Sequence, residues 1–120
     1  LALAPIDVGH AFPTGDLNRR LVLEATAIDD GGRTTAQARR ELARHFPAPV
    51  LGASHLVPPQ PATVDDRLVG PTTIELALPG ARASDRVHWR VVYERVDHRD
   101  PYDPAASTLF AAVELAAGDA

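Results

Sequence analysis

The chain has 120 residues, a formal charge of −4, twelve basic residues that are all arginine, and no lysine, methionine or cysteine. That length suits one domain with a hydrophobic core of its own, and the missing methionine reads as a piece of a longer product. Zero cysteine excludes disulfides, thiolate metal sites, cysteine nucleophiles, the cysteine-ligated blue-copper site and the Cys-x-x-Cys-His attachment of c-type haem. The acidic balance and scattered arginines leave no footprint for nucleic acid, and no apolar run approaches the ~20 residues of a membrane span.

In chain order, Leu1 to Val8 reads as a first strand. Gly9-His10-Ala11-Phe12-Pro13-Thr14-Gly15-Asp16 then forms a loop in which the glycines open backbone angles closed to other residues, while Pro13 fixes one angle and restricts Phe12. His10 is presented from this turn. Arg20 to Asp29 alternates with Leu21, Leu23, Ala25 and Ala27 on one side, the pattern of a strand. Asp29-Asp30-Gly31-Gly32-Arg33 supplies hairpin-turn residues, so a second strand is expected over Thr34 to Arg39. Its continuation to Phe46 is strand or short helix, because Ala38, Leu42 and Phe46 also fall at helical spacing.

Prolines 47, 49, 58, 59 and 61 make Pro47 to Val64 a long loop. Thr72 to Leu78 alternates and is closed by Pro79-Gly80. Arg86 to Val96 is the clearest strand, with Val87, Trp89, Val91 and Tyr93 on one side and Trp89 as the candidate core centre. After a polar loop from Asp97 to Pro104, Thr108 to Leu115 places Leu109, Ala111, Val113 and Leu115 on one face. The sum is about six or seven strands, which points to an immunoglobulin-like antiparallel β-sandwich in a single domain over 1–120, with a small barrel as the alternative.

No catalytic signature is present. The serines lie outside any nucleophile-elbow setting, and no glycine-rich loop leads into a helix. His10 is the candidate metal or haem-iron ligand, since a stiff loop can leave one imidazole nitrogen exposed; the alternative is that it only hydrogen-bonds its own loop. Arg19 and Arg20 fall on opposite faces by alternation, and either could meet a haem propionate, Asp16 or a surface carboxylate. His45, His55, His88 and His98 show no metal-ligand spacing, and the Asp97 to Asp103 carboxylates lack the pattern of a calcium loop.

His10, Pro13-Thr14-Gly15, Arg19-Arg20 and the strand after them resemble the Gly-His-x-x-Pro-Thr-Gly segment of a haem-free β-domain that accompanies the haem-bearing part of bacterial multihaem c-type cytochromes. Asp66-Arg67-Leu68 and Val87-His88-Trp89-Arg90-Val91-Val92-Tyr93 are more loosely similar to later strands of that domain. The resemblance implies an accessory, non-enzymatic sandwich of a periplasmic or extracellular electron-transfer protein. Its partner would be a haem-bearing domain or subunit, haem c would belong to the parent protein or that partner, and His10, Arg19 and Arg20 would be the candidate haem contacts. An adhesion-type protein-binding module, using the Pro47 to Pro61 loop and strand edges, is the second expectation. A metal site joining His10 to His88 or His98 is a third.

Overall fold

A computed structural model describes residues 1–5, 9–13, 19–45, 64–96 and 109–120. Among these the chain is all-β, and every strand pairing is antiparallel. The strands are β1 (Ala2–Leu3), β2 (Arg19–Ile28), β3 (Thr34–Leu42), β4 (Arg44–His45), β5 (Val64–Asp65), β6 (Thr72–Thr73), β7 (Arg86–Val96) and β8 (Leu109–Asp119). Four of them form the main sheet in the order β3-β2-β7-β8, and the small pairs β1-β6 and β4-β5 stand apart from it. The arrangement is that of a β-sandwich with one extended sheet and one fragmentary layer.

The hairpin between β2 and β3 forms where the turn residues place it. Asp29 Oδ1 accepts from the amides of Gly31 at 3.0 Å and Arg33 at 2.9 Å, and Gly32 takes a φ of 78°, which a side chain would strain. That turn commits Thr34 onward to a return strand, so the helical option between Thr34 and Leu42 is not taken. The spacing of Ala38 and Leu42 was ambiguous because four residues is common to both periods.

One face of β2 carries Leu21, Leu23, Ala25 and Ala27, opposite Tyr93, Val91, Trp89 and Val87 of β7. Leu21, Leu23, Leu42, Val91, Leu68 and Ile74 make up the core, with Leu1, Leu3, Phe12, Leu76 and Trp89 packed around it. The fully buried centre is therefore aliphatic, and Trp89 lies half-buried at its rim rather than at its centre. The reason is its cross-strand partner, Gly118 on the thinly covered strand β8.

Three element boundaries differ from expectation. The first strand is only Ala2–Leu3, with 6–8 outside the described residues. The Thr72 to Leu78 alternation keeps Ile74 buried, but its ladder covers Thr72–Thr73 and ends with the Leu1–Ile74 hydrogen bonds. The last strand runs from Leu109 to Asp119 rather than ending at Leu115, and its expected single apolar face is broken by register shifts opposite Val91/Val92 and Arg95/Val96. The proline-rich loop from 47 to 63 and the polar loop from 97 to 104 lie outside the described residues.

At Ala43 the chain leaves the main sheet for the second layer. Its amide donates to Asp66 Oδ1 at 2.8 Å, and its carbonyl accepts from the Asp66 amide at 3.2 Å. A corner of this kind is how a strand switches sheets in a sandwich. Asp85 ties the turn before β7 to β3, accepting from the Arg82 amide at 3.0 Å and from the Thr35 hydroxyl at 2.6 Å. These bonds, the backbone one first, hold its carboxyl below the usual carboxylate range.

Candidate functional site: the His10 loop

Gly9 and His10 are exposed, Ala11 and Phe12 are half-buried, and Pro13 is buried. Phe12 forms an isolated bridge with Leu68, its amide donating to Leu68 O at 2.7 Å and its carbonyl accepting from the Leu68 amide at 2.8 Å. The Phe12 ring lies 6.0 Å from that of Tyr93, a tilted aromatic contact, and the Phe12–Pro13 peptide is cis. His10 thus projects from a loop whose base, two residues on, is clamped to both layers. Gly9 has no positive φ and nothing within 4 Å of the position of an added Cβ, so neither conformation nor crowding accounts for it. Thr14, Gly15 and Asp16 fall outside the described residues.

The three segments singled out in the sequence meet at this clamp. Phe12 belongs to the first, Leu68 to the second and Tyr93 to the third. The second segment is itself pinned: Arg67 forks onto Asp65 at 2.7 and 2.6 Å, drawing the Asp65 carboxyl below its ordinary range, while Asp66 Oδ1 lies 3.0 Å from His45 Nε2. No period or composition signal could have joined these segments before the strands were paired.

Arg19 and Arg20 project to opposite sides, as alternation requires. Arg20 is 7% exposed, with Nε donating to Glu94 at 2.7 Å and Nη1 lying 3.1 Å from Glu41. Its guanidinium is committed to these carboxylates in a buried pair rather than at the surface. Arg19 is half-buried on the core side of β2, opposite Arg95.

The face of the sheet away from the core carries a feature that the sequence did not disclose. Arg39 contacts Glu24, Glu41 and Glu94 at 3.1, 3.1 and 3.3 Å, and Arg90 contacts Glu24 at 2.6 Å. With Arg20 this gives three arginines and three glutamates in one balanced grid. Val22 and Val92 are buried beneath it, at 0% and 6% exposure. A shallow depression of about 530 Å³ opens there, lined by Glu24, Thr26, Gln37, Arg39, His88, Arg90 and Glu114 among others. Its two guanidiniums already have carboxylate partners, and His88 Nδ1 lies 3.1 Å from Asp119.

Among the described residues no three histidines, cysteines or acids stand together in a way that could hold a metal ion. His55 and His98 lie outside them. Without cysteine the chain cannot bind haem c through thioether bonds. What the His10 loop offers chemically is narrower: a single exposed imidazole. No protein family, curated protein or solved structure matches this chain.

Proposed function

We infer that this chain is an accessory, haem-free sandwich domain, immunoglobulin-like in class, of an extracytoplasmic multihaem c-type cytochrome-like electron-transfer protein. Its role is to pack or dock the haem-bearing part through the His10 loop, in the periplasm or outside the cell, with no catalysis of its own. The observation that carries this reading is the convergence of Phe12, Leu68 and Tyr93 beneath an exposed His10. The three segments that resemble the cytochrome-associated domain share one structural task, and that task fixes the base of the loop.

The residues fit haem in one way only. A lone exposed imidazole can serve as an axial ligand or an edge contact to a haem bound elsewhere, and haem supplies the electron transfer. Arg19 and Arg20 are the proposed propionate contacts, Arg20 only by giving up Glu94 and Glu41. The adhesion-module reading keeps one observation in its favour, the exposed edge at β8.

Titration of the purified domain with ferric haem, followed by the Soret band, tests the proposal. A low-spin shift that His10→Ala abolishes and His88→Ala leaves intact is the expected result. An equal shift in His10→Ala, or no shift in the unmodified domain, removes His10 as a haem ligand.

A further inference from the structure

The two edges of the main sheet are built differently. β3 carries Arg39, Arg40 and Glu41, the kind of charge that keeps an edge from pairing with another chain. β8 reads Leu-Phe-Ala-Ala-Val-Glu-Leu-Ala-Ala-Gly-Asp, with no cation and no proline over eleven residues. Leu109, Phe110, Val113 and Leu115 are 50%, 65%, 55% and 51% exposed, and no β8 residue belongs to the core. Among the described residues its outer edge has no strand partner.

We propose that β8 is a homodimerisation edge, to which β8 of a second copy of this chain adds antiparallel about a two-fold axis at Val113. Cross-strand neighbours must share a face, so the axis has to pass through a residue position, and Val113 lies in the run between the two register shifts. With Val113 on the axis, Val113 meets its own copy within the regular run from Ala111 to Glu114, while Phe110 and Leu115 are the residues skipped at the two register shifts. Glu114 faces Ala112, so no carboxylate lies directly opposite another. The run from Ala111 to Glu114 is compatible with itself in size and in charge. The result is a closed dimer with a continuous eight-stranded sheet, whose ends are the two charged β3 edges.

The absence of cysteine makes the test clean. In Val113→Cys the two thiols would sit across the axis at a Cα separation of about 4.5–5.5 Å, within disulfide reach. Mild oxidation should give a covalent dimer from Val113→Cys and not from Gln37→Cys, at the exposed β3 edge. Light scattering should give twice the 12.8 kDa chain mass for the unmodified protein, and 12.8 kDa for Val113→Lys with unchanged far-ultraviolet circular dichroism. Equal cross-linking at both positions would overturn the proposal. So would a mass of 12.8 kDa for the unmodified chain at every concentration, which would assign the edge to a different protein.

Discussion

Arg20 shows how much one side chain can hold. Its side chain and that of Glu94 are almost wholly withdrawn from water, 8% and 10% exposed, so the pair must satisfy itself. Arg20→Ala leaves Glu94 buried with only Arg39 at 3.3 Å, and we expect a loss of about 2–3 kcal/mol in a urea melt. The double variant Arg20→Ala/Glu94→Ala should lose less than the sum of the singles, because the orphaned charge disappears with its partner. Asp85 gives the residue-scale pH dependence. Its folded-state pKa lies below the unfolded value, so its contribution is complete at neutral pH and is lost as pH falls below about 4. Asp85→Asn should be less stable than the unmodified chain at pH 7, and the gap between their melts should close as the medium is acidified through that range. A gap that stays constant would show that the ionised form contributes nothing.

The element where sequence pattern and structure part most is the β7–β8 pair. Strand β7 runs from Arg86 to Val96 as its alternation indicates, yet Trp89 is not the core centre because it spends its ring on Gly118. A Cβ added at Gly118 would lie 2.8 Å from Trp89 Cζ2, closer than packed atoms tolerate. Gly118→Ala should therefore displace the indole, shift its fluorescence to the red and cost about 1–3 kcal/mol. Trp89→Ala should cost less than the ~3–5 kcal/mol of a fully buried aromatic, since the ring is only half-buried. Strand identity was legible here because alternation is a local signal. The partner across the ladder was not, because register depends on residues some 30 positions apart and on bulges that periodicity does not reveal.

At the scale of the whole molecule, the fold divides its work between the two faces of the main sheet. One face of the sheet holds the aliphatic core and the clamp under His10, and the other holds a balanced arginine–glutamate grid over Val22 and Val92. The all-β class and the hairpin from Asp29 to Arg33 could be read from the chain. His10 could be singled out from its loop. The grid could not, since Arg20, Glu24, Arg39, Glu41, Arg90 and Glu94 look like ordinary solvated positions until β2, β3 and β7 are set side by side. The clamp was equally hidden, because Phe12, Leu68 and Tyr93 carry no common local pattern. The central claim, that the His10 loop is the surface offered to a haem-bearing partner, is tested most directly by paramagnetic broadening of amide resonances in the isotopically labelled domain on addition of ferric haem. Loss of the His10 and Ala11 signals first, with Leu68 and Tyr93 next, is the predicted result. Broadening centred on His88 and the charged face, or spread evenly over the domain, would contradict it.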